Sequence, residues 1–174
     1  MIEMVKYKAN PDGFGYRVTG VLLNNGKVLL STDDYVDFWV LPGGSVKLFE
    51  SSEDAIKREF QEEIGVKIEV IRLLWIVENS FVFDNVKAHG ISLDFLVNPI
   101  DWVKKLNKNE FYGFEDDFKV IGTRYENLED FKLTFRWFDI SELDSISIKP
   151  KIYHKALKNI PEHPVLLRNL EVEK

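Results

Sequence analysis

The stretch from Gly44 to Val66 decides the fold, and it reads GSVKLFESSEDAIKREFQEEIGV. Within it, Ile56, Phe60 and Ile64 recur at every fourth position. Apolar residues at this spacing lie on one side of an α-helix and form a stripe that the helix buries against a core. This part of the sequence therefore predicts an amphipathic helix.

Both ends of the predicted helix carry residues that favour helix termini. Ser51 is followed three residues later by Asp54, a pair that resembles a capping box. Gly65 stands where a glycine commonly ends a helix. The spacing predicts a helix from about Ser52 to Ile64.

Three carboxylates share one face of this helix. Glu59, Glu62 and Glu63 are related as i, i+3 and i+4, which places them within a sector of about 100°. Like charges so close destabilise a helix by about 0.2–0.5 kcal/mol per pair, whereas a bound dication reverses the sign. Mg²⁺ prefers oxygen ligands, and two ions bridged by carboxylates can activate water at a phosphorus centre. Taken alone, the face fits a metal site or a solvated surface.

The flanking residues add features of a metal or phosphate site. Pro42, Gly43 and Gly44 allow close backbone approach, so a carbonyl or an amide there can meet a metal or a phosphate. Arg58 is expected to lie off the acidic sector, where its planar fork can hold Glu50 in a bidentate pair. Such a pair would fix the loop to the helix.

The complete pattern resembles a Nudix box. Gly44, Glu50 and the run from Arg58 to Val66 match Gx5Ex7REUxEExGU over 23 residues, with Phe60 where an aliphatic residue is more usual. The resemblance implies an α/β fold, namely an α/β/α sandwich with a mixed sheet and a loop–helix–loop metal site. It also implies an enzyme that uses Mg²⁺, or Mn²⁺, to hydrolyse a pyrophosphate bond in a nucleoside diphosphate linked to another group.

The resemblance also assigns roles by position. Glu59, Glu62 and Glu63 would bind metal, joined by the carbonyl of Gly43 or Gly44. Glu62 or Glu63 would orient or deprotonate the attacking water, and the choice between them stays open. The expected catalytic set is completed by two residues that support the site, Glu50 and Arg58.

The rest of the chain predicts a mixture of strands and helices. Asn24, Asn25 and Gly26 lie between apolar runs and predict a β-hairpin over 16–31. Other strands are expected at 38–41, 66–77, 81–86, 90–97 and 133–139, with a turn at 84–85, a long loop within 98–131 and a helix at 150–159. We expect one domain over residues 1–174, with its core at about 15–150 and a C-terminal helix and tail at about 151–174.

Composition limits the functions open to the chain. Of its 174 residues, 45% are apolar, enough for a sizeable core. Its 29 acidic and 23 basic residues give a net charge of −6, which disfavours generic binding to nucleic acid or to an anionic membrane. The absence of cysteine excludes disulfides and a cysteine nucleophile. We expect a cytoplasmic protein that binds a small-molecule nucleotide, with or without a homodimer interface.

Several residues outside the box are candidates for binding substrate. Phe81 and Phe83 could stack on a base, His89 could act as an acid or contact the substrate, and Arg17 could reach a phosphate. Each has a plainer alternative, which is core packing for the rings and an ordinary hydrogen-bonded or surface position for the other two. Two further aromatic residues are open to the same pair of interpretations, with core packing favoured: Trp39 and Trp75.

Sequence features that would indicate a particular substrate class are missing. The chain has Ser80 where a proline would suggest ADP-ribose, and Phe81 and Phe83 where a tyrosine would suggest diadenosine polyphosphates. In some members of the family a late loop carboxylate is the base or a metal ligand. The candidates here, for which exposed surface is the commoner role, are Glu110, Glu115, Asp116 and Asp117.

Two other interpretations compete with a hydrolase. A Nudix-fold nucleotide sensor or interaction module usually loses box carboxylates, whereas all four box Glu residues are present here. An isomerase on a Nudix-like scaffold would need a cysteine, and the chain has none. The intact box favours the enzyme, and the sensor remains the alternative.

Overall fold

The computed structural model describes residues 13–83, 85–115 and 131–170, without the side chains of Phe83, Val86, Glu115 and Phe131. Within these residues one mixed sheet has the strand order β5-β6-β2-β1-β4-β3-β7. Its strands are β1 Gly13–Asn24, β2 Lys27–Asp33, β3 Ile68–Phe83, β4 Val86–Pro99, β5 Glu110–Glu115, β6 Phe131–Asp139 and β7 Val165–Leu170. The helices are α1 Ser52–Glu59, which continues into a π turn Phe60–Ile64, α2 Tyr153–Ala156, and the 3₁₀ turns Lys104–Asn107 and Ile140–Ser145.

Helices cover both faces of this sheet, and each face has its own apolar cluster. Ile56, Phe60 and Ile64 are fully buried against one face, as their fourfold spacing predicts. Tyr153 and Leu157 pack on the other face beside Trp75 and Leu74. The predicted α/β fold with a mixed sheet is confirmed. No helix in the described ranges has the length and apolar content to cross a membrane.

The hairpin formed by β1 and β2 is paired only close to its turn. Asn25 and Gly26 have φ values of 49° and 78°, the left-handed conformation that an Asn-Gly turn needs. β1 and β2 pair only at Leu23↔Val28 and Asn24↔Lys27 before they separate. The amides of Val18 and Gly20 then donate to the carbonyls of Gly44 and Pro42, both at 2.9 Å. The Pro42–Gly44 turn therefore lies between the two strands, within the sheet.

The helix of the box begins as predicted and ends in a wider turn. Ser51 Oγ accepts a hydrogen bond from the Asp54 amide at 3.1 Å, and Gly65 ends the helix with φ 70°. The predicted bounds, Ser52 to Ile64, match the helical segment, in which Ser52–Glu59 is α-helical and Phe60–Ile64 forms a π turn. A residue from elsewhere in the chain contacts this turn, because Lys105 Nζ donates a hydrogen bond to the Ile64 carbonyl at 2.6 Å.

Two strand predictions need correction. Residues 38–41 form only isolated bridges, Ser31↔Val40 and Trp39↔Ile148, because the chain turns immediately into the gap between β1 and β2. The strands expected at 66–77 and 81–86 are one strand, β3, which runs to Phe83 with register shifts near Arg72 and Leu74. Of the turn expected at 84–85, Asp84 lies outside the described residues, and Asn85 has φ 65° just before β4.

The C-terminal half contains structure that the sequence pattern did not predict. β5 lies within the expected long loop, and β7 lies in the tail, where it pairs parallel to β3. Both are edge strands of the described sheet. β7 buries little, whereas β5 buries Phe111 between exposed neighbours. The helix expected over 150–159 is α-helical only from Tyr153 to Ala156.

The contact between β1 and the box helix gives a stability test. A Cβ on Gly20 would lie 2.4 Å from the ring of Phe60, which is fully buried. We expect Gly20→Ala to lower the free energy of unfolding by about 1–3 kcal/mol through overpacking. Urea unfolding measures this.

The matched control is Gly15→Ala in the same strand, where a Cβ would meet nothing within 4 Å. Its effect should stay within about 0.5 kcal/mol. Equal losses in the two variants would show that the loss does not arise at Phe60.

Candidate metal and catalytic site

Arg58 connects the loop of the box to its helix. Its Nε donates to Glu50 Oε1 at 2.7 Å, and its Nη2 donates to Glu50 Oε2 at 2.9 Å. The same Nη2 donates to the Ser45 carbonyl at 3.0 Å. Glu50 also accepts from the Lys47 amide at 2.9 Å, so both ends of the loop are held.

This fork changes the ionisation of both partners. The hydrogen bonds from Arg58 lower the pKa of Glu50 from 4.5 to about 2, against the opposing effect of burial. The bond to Glu50 in turn raises the pKa of Arg58 above its usual value. The pair is therefore fully charged at neutral pH.

Arg58 also reaches the acidic face, which the helical geometry did not predict. Its Nη1 donates to Glu59 Oε1 and to Glu62 Oε2, both at 2.8 Å. A regular α-helix was expected to place Arg58 off this sector. The Arg58 side chain is long enough to reach the acidic face from its own position, so its guanidinium binds the loop and the two carboxylates at the same time.

The three carboxylates of the face differ in exposure. Glu59 and Glu63 are each 5% exposed, whereas the side chain of Glu62 is 48% exposed. Lys47 Nζ lies 3.9 Å from Glu62, close enough for a weak surface ion pair. The acidic face thus consists of two buried carboxylates, Glu59 and Glu63, and one exposed carboxylate, Glu62.

The glycines of the turn allow it to fit between strand and helix. Gly43 has φ 141°, and a Cβ on it would lie 2.2 Å from the Val18 carbonyl oxygen. A Cβ on Gly44 would lie 2.4 Å from Cδ and Oε1 of Glu59, so the carboxylate rests directly on this glycine. Only glycine fits at position 43, whereas a side chain at position 44 would displace the Glu59 carboxylate.

The turn carbonyls have defined partners. Gly43 O accepts from Arg17 Nη2 at 3.0 Å, and Gly44 O accepts from the Val18 amide at 2.9 Å. Gly44 O is therefore held within the sheet. Gly43 O accepts from a side chain and is the more suitable carbonyl ligand.

The donor chemistry of this set fits Mg²⁺. Carboxylates and a backbone carbonyl are the hard oxygen ligands that the ion takes, usually together with water and substrate phosphate. In the present arrangement, no three His, Asp or Glu side chains of the described ranges converge as a ready metal site. Glu59 and Glu62 instead point to Arg58.

The substrate candidates do not form one group. His89 Nδ1 lies 3.1 Å from Ser80 Oγ, and its Nε2 lies 3.7 Å from Glu78 Oε1. Phe81 pairs with Ala88, one residue out of step with His89, so it lies on the opposite face of the sheet. Arg17 lies at the Gly43 turn. The side chain of Phe83 lies outside the described residues.

The other candidates have structural surroundings where they are described. Trp75 is 2% exposed in the core, and Trp39 packs edge-on against Phe138 at 4.7 Å. Glu110 pairs with Arg136 across β5 and β6. The candidates that lie outside the described residues are the side chain of Glu115 and the whole of Asp116 and Asp117.

One polar group beside the turn was missed from the sequence. Asp94 is completely buried and accepts hydrogen bonds from Thr19, Ser92 and Tyr153. Burial raises its pKa, and these hydrogen bonds oppose that shift. The available signal was a lone carboxylate within the apolar run 91–97.

Comparison with known proteins establishes the family. The model of the NUDIX domain matches residues 14–159, and the chain belongs to the Nudix hydrolase family. It is 34% identical over 97 residues to diphosphoinositol polyphosphate phosphohydrolase 2 of Rattus norvegicus, which covers 54% of this chain and about half, 53%, of that protein. It is 27% identical over 163 residues to an RNA pyrophosphohydrolase of Teredinibacter turnerae, covering 91% and 92% of the two chains.

Solved structures support the fold. The mutator MutT protein from Bacillus halodurans superposes with a TM-score of 0.56 at 15% identity, covering 90% of this chain and 91% of that one. At this identity the likeness concerns the fold alone.

The Glu50–Arg58 pair gives a pH-dependent test. The folded-state pKa of Glu50, about 2, lies below the ordinary 4.5, so its stabilising effect is complete above about 4.5 and disappears as the pH falls toward 2. We expect Glu50→Gln to lose about 1–3 kcal/mol of stability at pH 7. The deficit should shrink toward pH 2.5 in urea unfolding.

Glu53→Gln, on the exposed first turn of α1, is the control. It should show a small effect at both pH values. A deficit for Glu50→Gln that is the same at pH 7 and pH 2.5 would contradict the assigned pKa.

Proposed function

We propose that this chain is a Mg²⁺-dependent pyrophosphohydrolase that cleaves a phosphoanhydride bond in a nucleoside diphosphate derivative. The observation that carries the proposal is the contact of Glu59 with Gly44, next to buried Glu63 and exposed Glu62. It gathers hard oxygen donors at the meeting point of loop, helix and sheet. The membership of the family supports the same reaction class.

Each residue of the site has a distinct part in the proposal. Glu59 and Glu63 would hold the metal together with the Gly43 carbonyl: Glu59 rests on the neighbouring Gly44, and Glu63 is the other buried carboxylate on the same face of the helix. When bound, Mg²⁺ would neutralise phosphate charge and lower the pKa of a water. Glu62 or Glu63 would accept a proton from the attacking water as its oxygen bonds to phosphorus and the bridging P–O bond breaks.

Arg58 has a positioning part in this scheme. Its bonds to Glu50 and Ser45 fix the loop, and its bonds to Glu59 and Glu62 hold both carboxylates in place before metal binds. The guanidinium also offsets the repulsion between those carboxylates.

The identity of the substrate rests on fewer observations. The names of the two relatives refer to diphosphoinositol polyphosphates in one case and RNA in the other. We propose a nucleotide as the primary class, as the box resemblance implies, and we treat these two phosphate compounds as competitors in the same assay.

The role of Glu63 has a direct test. We expect Glu63→Gln to reduce turnover by at least about 100-fold, the lower end for a positioned acid–base group. Because glutamine has the same size, the melting temperature should change little. The assay follows phosphate or nucleotide release at saturating Mg²⁺.

Glu53→Gln, on the exposed first turn of the same helix, is the matched control and should keep wild-type turnover. Near-normal turnover in folded Glu63→Gln would remove Glu63 from the proposed site.

A substrate panel tests the reaction class. It contains nucleoside triphosphates and their oxidised forms, nucleotide sugars, ADP-ribose, NADH, dinucleoside polyphosphates, a diphosphoinositol polyphosphate and 5′-triphosphorylated RNA. We expect one nucleotide to be cleaved far faster than the rest, only with Mg²⁺ or Mn²⁺, and mass spectrometry of the products identifies the bond cut.

Absence of turnover in folded protein that is still stabilised by a nucleotide would favour the sensor. Preferential cleavage of the inositol compound or of RNA would overturn the nucleotide assignment but keep the reaction class.

A further inference from the structure

A tight turn in the loop of the box holds a phenylalanine in an unfavourable backbone conformation. The Glu50 amide donates to the Lys47 carbonyl at 3.2 Å, which closes a four-residue β-turn over 47–50. Phe49, at the third position of this turn, has φ 64°, whereas the φ of Leu48 is not positive. This combination fits a type II turn, whose third position favours glycine or asparagine. A phenylalanine there is strained, because the left-handed conformation brings Cβ against the backbone.

The ring of Phe49 gains no burial that would offset this strain. Its side chain is fully exposed, and Leu48 beside it is 79% exposed. An aromatic side chain stabilises a fold through the apolar area that it buries, so an exposed ring contributes little. Strained residues that the fold does not need are characteristic of binding and catalytic sites. The ring is therefore better explained by a ligand than by folding.

Both ends of the turn are connected to the candidate metal site by direct contacts. Glu50, which ends the turn, forms the bidentate pair with Arg58. The same guanidinium donates to Glu59 and Glu62, both at 2.8 Å. Lys47, which begins the turn, has its Nζ 3.9 Å from Glu62 Oε1. The tip of the turn therefore lies at the rim of the acidic face, beside the exposed carboxylate.

An exposed ring at this rim suits the base of a nucleotide. Metal on the acidic face would hold phosphate groups, and the nucleoside would extend from them past the rim. An aromatic side chain can stack on any base, because every base has a π-face. The hydrogen bonds that hold the turn also fix the position of Phe49, which lowers the cost of ordering its side chain on binding.

We propose that Phe49 is a specificity-determining residue, which stacks on the base of a nucleotide whose phosphates lie at the acidic face. The inference rests on the proposed function, because it assumes that metal-bound phosphates occupy this face. Stacking uses the π-face of the base and not its hydrogen-bonding edge. Phe49 therefore selects nucleotides over phosphate compounds that lack a base, and it discriminates little between one base and another.

Two matched probes separate the base from the phosphates. One is α,β-methylene-ADP, and the other is methylenediphosphonate, which has the same non-hydrolysable P–C–P group without the nucleoside. Isothermal titration calorimetry of the purified full chain at saturating Mg²⁺ measures both affinities. We expect Phe49→Leu, which keeps an apolar side chain but removes the ring, to weaken α,β-methylene-ADP binding about tenfold, or about 1.4 kcal/mol. Methylenediphosphonate binding should not change, and Phe49→Trp should bind the nucleotide at least as tightly as wild type.

A second variant tests the strain in the turn. Asparagine suits the left-handed position, so Phe49→Asn should raise the melting temperature by about 2–4 °C while it loses nucleotide affinity as Phe49→Leu does. The matched control is Leu48→Ala in the same turn, which should change neither quantity appreciably. A lower melting temperature in Phe49→Asn would show that the ring stabilises the fold and would contradict the proposal.

The outcomes separate the inference from the function on which it rests. Wild-type nucleotide affinity in Phe49→Leu, or equal weakening of both probes, would overturn the stacking role while the metal site stands. Equal affinity of the wild type for the two probes would do the same. Binding of neither probe by the wild type would overturn the nucleotide site, and the inference with it. A changed oligomeric state of Phe49→Leu in size-exclusion chromatography, with unchanged nucleotide affinity, would assign the tip to a contact between copies of the chain and would also overturn the stacking role.

Discussion

Two backbone hydrogen bonds, from the amides of Val18 and Gly20 to the carbonyls of Gly44 and Pro42, determine where the rest of the molecule lies. They place a glycine turn between β1 and β2, where a simple hairpin would have continued its own ladder. Because the turn lies in the plane of the sheet, it fixes the place at which the following helix, α1, packs on one face of the sheet. The geometry of the candidate site therefore depends on the sheet.

The charges of the site are arranged around this backbone frame. Arg58 holds Glu50 on one side and two carboxylates of the helix on the other, so that one cation organises three anions. The chain carries a net charge of −6, and under the proposed function bound metal ions would supply the positive charge that an anionic substrate needs.

The sequence predicted the elements whose signal is local and missed those formed by distant contacts. The Asn25–Gly26 turn, the Ser51 cap and the end of the helix at Gly65 follow from the conformational preferences of single residues. The π turn was not predicted, because Phe60 and Ile64 continue the fourfold spacing of a regular helix, and the contact of Lys105 with Ile64 comes from 41 positions away. Asp94 was missed for a similar reason, since two of its three hydrogen-bond donors, Tyr153 and Thr19, are 59 and 75 positions distant along the chain.

The pairing of β7 with β3 has a consequence for the order in which the sheet forms. Arg168 and Asn169 meet Glu78 and Asn79, so this ladder joins residues 90 positions apart, and β7 lies beyond the stretch 14–159 that matches the family. Closing so long a loop costs entropy before any contact compensates for it. β3 can pair with β4 through a tight turn long before then, and until β7 arrives its outer edge presents unpaired peptide groups. That edge is the face through which a folding intermediate would pair with another chain.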